Sequence, residues 1–101
     1  MHTTLKMVEK LDDLLEETDE YIKCAHECTD NPELKSAYMD LARCHYDGFE
    51  KLSKCVERTV ERKSQMLGED KGQLMKEMAA WHMNKFTERA AHLKSRMDQM
   101  R

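Results

Sequence analysis

The residues that could do chemistry in this chain are two histidines and a pair of carboxylates predicted to lie near them. His45 and His82 both occupy apolar stripes of predicted helices, which are the faces expected to be buried. Glu17 and Glu20 lie on the predicted helix that precedes these two in the chain, about one turn from its apolar stripe. Imidazole and carboxylate groups that project into a helical bundle are the ligands of di-iron sites. We therefore predict a candidate metal site at Glu17, Glu20, His45 and His82; the alternative is that both histidines are hydrogen-bonded core residues.

The cysteines are a second group with potential chemistry. Cys24 and Cys28 are four residues apart, so a helix would place both thiols on one face, a spacing that can hold zinc. Zinc would need two further ligands, and Cys44 and Cys55 are eleven residues apart. We expect the four cysteines to be small, buried, reduced hydrophobic residues and predict no cofactor. Redox sensing through Cys24 and Cys28 is a further hypothesis.

The sequence contains no glycine-rich phosphate loop and no order of residues that suggests a catalytic triad, which favours a non-enzymatic protein. Basic residues cluster only at Arg58, Arg62 and Lys63, without interleaved aromatic residues, so we expect no direct binding to nucleic acid. No apolar run follows the charges near the N-terminus, which predicts neither a signal peptide nor a membrane span. We therefore expect a cytoplasmic protein.

The composition is that of an all-helical protein with an uneven charge. Charged residues make up 37% of the chain, while there are only three glycines and one proline. Residues 1–31 contain nine acidic and three basic residues, a net charge of −6. Most of these acids form an acidic face on the first predicted helix, which is either solvated or awaits a basic partner or a metal. The face consists of Asp12, Asp13, Glu16, Glu17, Asp19 and Glu20.

Hydrophobic spacing predicts three long antiparallel helices over residues 4–29, 32–67 and 71–100, in a single domain that spans residues 1–101. Asn31 and Pro32 suit the first two positions of the second helix, and Gly68 suits its end. Asp70 and Gln73 resemble a capping box at the start of the third helix. The predicted apolar stripe of the first helix is Val8, Leu11, Leu15, Thr18, Ile22 and Ala25. That of the second includes Leu34, Tyr38, Leu41, His45, Gly48, Leu52 and Cys55. That of the third is Met75, Ala79, His82, Phe86, Ala90, Leu93, Met97 and Met100.

Two expectations about packing follow from these helices. Long helices in a chain of 101 residues form a thin rod with little core per residue, so we predict that a homodimer or larger assembly completes the bundle. Gly48 lies on the predicted stripe of the second helix, where the missing side chain would let a neighbouring helix approach closely, and a Gly48→Leu substitution should then disrupt the packing.

The stretch from Leu14 to Leu52, LLEETDEYIKCAHECTDNPELKSAYMDLARCHYDGFEKL, resembles the first helical hairpin of ferritin-like proteins. The likeness consists of an acidic helix with glutamate and tyrosine, a short Asn-Pro turn and a helix with a Leu-Ala core. The whole chain is similar to small ferritin-like proteins encoded in bacteriophages and prophages. The Glu-x-x-His motif of that family would fall on His45 and Gly48. The resemblance thus implies a helical bundle whose two-metal centre cannot form in the family's way.

The function predicted from these observations is a helical protein–protein interaction module that acts as an oligomer and binds another protein. The resemblance implies a phage accessory protein, for which one specific hypothesis is an inhibitor of a host defence system such as an anti-CRISPR protein. The alternative is a ferritin-like metal-binding protein with an altered site of histidines and carboxylates.

Overall fold

The chain folds into three α-helices in the computed structural model, which describes the backbone of residues 2–100 and the side chains of residues 6–100. Helix α1 spans His2–Glu27, α2 spans Pro32–Met66 and α3 spans Glu69–Gln99. No strand occurs within residues 2–100. The all-α prediction is confirmed, with helix ends within about two residues of the predicted ones. The two ends of the predicted domain, residues 1 and 101, lie outside the described residues.

The two turns between the helices are short. Asn31 is the N-cap of α2, and its side-chain oxygen accepts a hydrogen bond of 3.0 Å from the backbone N–H of Leu34. Gly68 separates α2 from α3 with a φ of 86°, a left-handed conformation that glycine adopts without strain. The predicted Asp70–Gln73 capping box is wrong, because α3 begins one residue before Asp70 and the Gln73 side chain instead donates to Glu77 Oε1 at 3.3 Å.

Two salt bridges show the relative direction of the helices. Arg89 Nη1 of α3 lies 2.8 Å from Asp12 Oδ1 of α1, and Arg96, one heptad later, contacts Asp19. Both pairs advance in the same direction, so α1 and α3 run parallel while α2 runs antiparallel to both. The three helices pack side by side along their length and form a rod of 58 × 19 × 15 Å.

The core follows the predicted stripe of α1 closely. Leu11, Leu15, Thr18, Ile22 and Ala25 are at most 1% exposed, and the Thr18 hydroxyl is satisfied by the Leu14 carbonyl at 2.7 Å. The stripe of α3 is buried from Ala90 to Met97 and half-buried at its other positions. Its buried members are Ala90, Leu93 and Met97, and Met75, Ala79, His82, Phe86 and Met100 are half-buried.

The predicted stripe of α2 is wrong by about one residue. Leu34 and Leu41 are about 40% exposed, and the buried side chains are Met39, Ala42, Tyr46, Phe49, Val56, Val60 and Ser64. The physical reason is that α2 must face two neighbours at once. His45 and Gly48 lie on the flank toward α1, while Phe49 packs edge-on against Phe86 of α3 with ring centroids 6.4 Å apart. The centre of the buried face falls between these flanks.

The expectation of buried cysteines is also wrong for half of them. Cys44 and Cys55 are exposed, and Cys24 and Cys28 are half-buried; all four are free thiols. This outcome follows from the shifted stripe of α2, because Cys44 and Cys55 point away from the core.

The close approach between helices occurs at Gly72 rather than at Gly48. A Cβ atom built on Gly48 would lie 3.6 Å from the Leu14 side chain, which is ordinary van der Waals contact, so the expected close helix approach at Gly48 is wrong. A Cβ atom on Gly72 would lie 2.3 Å from the backbone oxygen of Ser64. The start of α3 can therefore cross the end of α2 this closely only because residue 72 has no side chain.

Candidate functional site

The structure brings two of the four predicted metal ligands into contact. His45 Nε2 lies 2.7 Å from Glu17 Oε2, and His45 Nδ1 lies 2.8 Å from the Leu41 carbonyl oxygen. A carbonyl oxygen can only accept a hydrogen bond, so Nδ1 carries the proton. Nε2 can then donate to Glu17 only in the imidazolium form, which makes this contact an ion pair when the ring is protonated. The Tyr21 ring lies against the imidazole, with centroids 5.1 Å apart.

The other two predicted ligands lie elsewhere. Glu20 is exposed on α1, and His82 lines a groove between α2 and α3. Among the side chains of residues 6–100, no three His, Cys, Asp or Glu residues are grouped so that they could hold a metal ion. The site of four ligands therefore stays a prediction. Of its four residues, the structure brings only Glu17 and His45 into contact, and Nε2 of His45 is the atom that could bind a metal.

The acidic face of α1 is partly neutralised within the molecule. Arg89 contacts Asp12 and lies 3.7 Å from Glu16, and Arg96 contacts Asp19, which Lys23 also approaches to 3.1 Å. The bases that this face needs are thus supplied in part by α3 of the same chain. No local pattern in the sequence predicts these two pairs, because the partners are 77 residues apart.

Two described side chains have shifted pKa values, and both shifts follow from helix packing. Burial alone would raise the pKa of Asp19, but the hydrogen bonds and positive charges of Arg96 and Lys23 outweigh burial and lower it. Burial raises the pKa of Tyr46, and nearby carboxylates, chiefly Glu50, raise it further. Neither side chain lines the groove that contains His82.

That groove is an open concave surface lined mainly by apolar side chains. It has a volume of about 590 Å³ and lies between the second half of α2 and the first half of α3, with Val8 contributed by α1. Its charged lining residues are Lys63 and Lys71, and no carboxylate among residues 6–100 lines it. The apolar lining residues are Val8, Val56, Val60, Met66, Leu67, Leu74, Met75, Met78, Ala79 and Met83.

Large apolar side chains are exposed in and beside the groove. Met66 is 80% exposed, while Leu74, Met78 and Trp81 are each 57% exposed. Trp81 stands next to groove residue His82, and Lys85 Nζ lies 3.7 Å from the centre of its ring. Contiguous exposed apolar surface of this kind marks interaction sites in folded proteins.

The predicted stripe of α3 includes neither Met78 nor Trp81, and it did not predict that Met78 lines an open groove or that Trp81 borders it. The available signal was the spacing of Leu74, Met78 and Trp81, which are four and three residues apart and form a second stripe beside the buried one. Such a wide apolar face exceeds what one neighbouring helix can cover.

Comparison of the chain with protein families, with curated proteins and with solved structures finds no match. The resemblance to ferritin-like phage proteins therefore stays a prediction. Within the described residues, no helix has an apolar stretch that is long enough to cross a membrane.

Proposed function

We propose that this chain is a non-enzymatic interaction module that binds a helical segment of another protein in the groove between α2 and α3. The observation that carries this proposal is the exposed apolar lining of the groove, with Met66, Leu74 and Met78 each more than half exposed. A groove between two helices matches the shape of an amphipathic helix laid between them. Methionine side chains adapt to varied partners because they are flexible and polarisable.

The charge of the groove selects the kind of helix. Lys63 and Lys71 are its charged lining residues, so a partner with acidic residues beside its apolar stripe gains attraction, whereas a basic partner is repelled. The occupant is therefore an amphipathic helix with acidic flanks. Apolar contacts supply most of its affinity, and the two lysines fix its orientation.

The test uses two synthetic helical peptides with the same leucine stripe, one with glutamate and one with lysine on its flanks. Trp81 is the only tryptophan in the chain and stands beside the groove, so its fluorescence reports binding. We expect the glutamate peptide to bind and to shift the emission, and the lysine peptide to bind about tenfold more weakly or not at all.

Met78→Glu places a carboxylate inside the groove and should weaken binding of the glutamate peptide by about tenfold or more, through desolvation and repulsion. Ala80→Glu is the matched control, because Ala80 is exposed on the same turn of α3 and does not line the groove. Equal binding by both variants, or preference for the lysine peptide, would contradict the proposal. If the wild-type chain is a dimer and the Met78→Glu variant is a monomer, then a second copy of the chain occupies the groove.

The more specific hypothesis of a phage inhibitor of host defence rests on the small size of the chain and on its resemblance to phage proteins. Its test is the plating efficiency of a CRISPR-targeted phage on bacteria that express this chain. Protection of the phage by the wild-type chain, and its loss in Met78→Glu but not in Ala80→Glu, would support the hypothesis. Unchanged plating would reject the CRISPR version and leave the groove proposal to the peptide assay.

The contact between Glu17 and His45 is the one observation that favours metal binding as a second candidate function. If this pair binds iron or zinc, His45→Ala should abolish the bound metal and His82→Ala should retain it, because only His45 contacts Glu17. Metal analysis after equilibration with Fe²⁺ or Zn²⁺ measures this. Equal metal content in the wild type and both variants would contradict the candidate site.

A further inference from the structure

The side of α2 that points away from the core carries an ordered pattern of charges and small residues. We name it the outer face of α2, and all of its members are exposed. Their spacings of three and four residues keep them within one stripe of the helix. The outer face consists of Glu33, Ala37, Asp40, Cys44, Asp47, Lys51, Cys55, Arg58 and Arg62.

The charges on this face are separated along the helix. The first half carries the acids Glu33, Asp40 and Asp47, each seven residues from the next, and the second half carries Lys51, Arg58 and Arg62. The division falls at residue 49, which is the middle of the 35-residue helix. Two such faces attract each other when the helices are antiparallel and repel when they are parallel, because only the antiparallel arrangement places acids opposite bases.

We propose that two copies of this chain associate through the outer face of α2, with the two helices antiparallel about a two-fold axis near residue 49. The charge complementarity of the face with itself carries this proposal. The axis places Asp40 opposite Arg58 of the second copy and Asp47 opposite Lys51. In an antiparallel pair, the same flank of each helix meets, and these four residues share one flank.

The sizes of the remaining residues fit the same axis. Ala37, Cys44 and Cys55 are small, so the two helix backbones can approach closely. An axis near residue 49 brings together residues whose numbers add up to 98 or 99. The two charge pairs add up to 98, and Cys44 of each copy lies within one residue of the position opposite Cys55 of the other. Asp40 has one intramolecular contact on this side, Arg43 at 3.6 Å, and its side chain stays 76% exposed and available to a second copy.

This interface is separate from the groove of the proposed function, because the outer face points away from α1 and α3. Each protomer in the dimer would keep its groove open for another protein. The dimer would therefore present two grooves, which raises avidity toward a partner that carries two docking helices. Failure of either proposal leaves the other standing, since different variants report on them.

Cross-linking of the opposed cysteines tests the geometry. The full-length chain with Cys24→Ser and Cys28→Ser is prepared with either Cys44→Ser or Cys55→Ser, so that each protein keeps one thiol on the outer face. Copper-phenanthroline with dissolved oxygen accepts the two electrons, and the two thiols release two protons as the disulfide forms. We expect a cross-linked dimer in the mixture of the two proteins and none in either protein alone.

The alternatives give different outcomes. In the antiparallel dimer, two Cys55 residues are about eleven residues apart along the axis, roughly 16 Å, which a disulfide cannot span. Efficient cross-linking of one protein with itself would indicate parallel helices and overturn the proposal. Absence of a cross-link in the mixture would also overturn it.

A charge exchange tests the attraction without any cysteine chemistry. Asp47→Lys and Lys51→Asp should each raise the dissociation constant of the dimer by about tenfold or more, because each creates like-charge contacts twice across the axis. The double variant restores opposite charges and should restore association to near the wild-type level. Sedimentation equilibrium measures these constants, and circular dichroism checks that each variant is helical.

The proposal fails if the single variants dimerise like the wild type or if the double variant is no stronger than the singles. Met78→Glu is the control from the groove and should leave the dimer unchanged, since Met78 lines the groove on α3.

Discussion

Arg96 and Asp19 illustrate how single residues hold this rod together. The two side chains are 30% and 25% exposed, so water screens their attraction less than it does for the Arg43–Asp40 pair, which is 46% and 76% exposed. The positive charges around Asp19 lower the pKa of this carboxyl in the folded state. Its stabilising contribution is therefore present above the unfolded pKa and is lost as the pH falls through the folded pKa.

Arg96→Gln should lower the free energy of unfolding by about 1 kcal/mol at pH 7. The difference from the wild type should shrink as the pH falls below about 4, because Asp19 then takes up a proton more readily in the unfolded chain than in the folded one, where its pKa is lowered. Urea denaturation at pH 7 and at pH 3 measures both values. Arg43→Gln is the control and should change stability less, because its pair with Asp40 is more exposed. A cost for Arg96→Gln that is the same at both pH values would contradict this account.

Substitution by alanine should change the stability of the chain in opposite directions at Gly72 and at Gly48. Gly72→Ala should destabilise the chain by about 1–3 kcal/mol, because its Cβ would overlap the Ser64 backbone oxygen, which cannot move without shifting α2. Gly48→Ala should stabilise it by about 0.5–1 kcal/mol, because alanine favours the helix and the Leu14 side chain is at contact distance. Thermal unfolding measures both. Equal effects of the two substitutions would contradict the assignment of the close approach to residue 72.

At the scale of elements, α2 organises the molecule by offering a different face to each neighbour. One flank contacts α1 through His45, the other packs on α3 through Phe49, and the outer face is left to solvent or to a second copy. The long helix depends on a well-defined start, because it follows a turn of only four residues, 28–31. Asn31 and Pro32 provide that start.

Asn31→Ala should lower the free energy of unfolding by about 1 kcal/mol, since the backbone N–H of Leu34 would lose its side-chain acceptor. Asn31→Asp retains an acceptor and should be close to the wild type. Chemical denaturation followed by circular dichroism provides the comparison. Equal destabilisation by both variants would indicate that the cap contributes nothing and that the turn requires the amide for another reason.

At the scale of the whole molecule, the elongated shape follows from three long helices that lie side by side. The radius of gyration of 16.5 Å exceeds the value of about 13 Å expected for a globular chain of this length. A rod has much surface for its volume, which explains why apolar side chains remain exposed along the groove. It also provides long faces on which a second copy can lie.

Small-angle X-ray scattering distinguishes the ways in which two rods can pair. A dimer through the outer face of α2 overlaps both protomers along their full length, because the axis passes the middle of the 35-residue helix. Its mass should double while its longest dimension stays near the 58 Å of one protomer. A dimer that joins the ends of two rods would be close to twice as long, and that result would contradict the proposed arrangement.

The sequence by itself determined the three helices and most of the apolar stripes of α1 and α3. The stripe of α1 was predictable residue by residue because its buried members keep a spacing of three and four along one helix face. Asn31, Pro32 and Gly68 marked the turns because their chemistry acts on the backbone next to them. The acidic face, the thiol positions and the charge division of α2 are also properties of the sequence alone.

Only the tertiary structure decided which of these faces meet. The buried face of α2 depends on where α1 and α3 lie around it. The spacing of hydrophobic residues along α2 therefore predicted a stripe that is one residue away from the buried face. The contact of Glu17 with His45, the arginines beside the acids of α1, and the close crossing at Gly72 join residues that are distant in sequence. His82 belongs to an open groove instead of a metal cluster in the described molecule, because helix packing left that end of the α2–α3 hairpin uncovered.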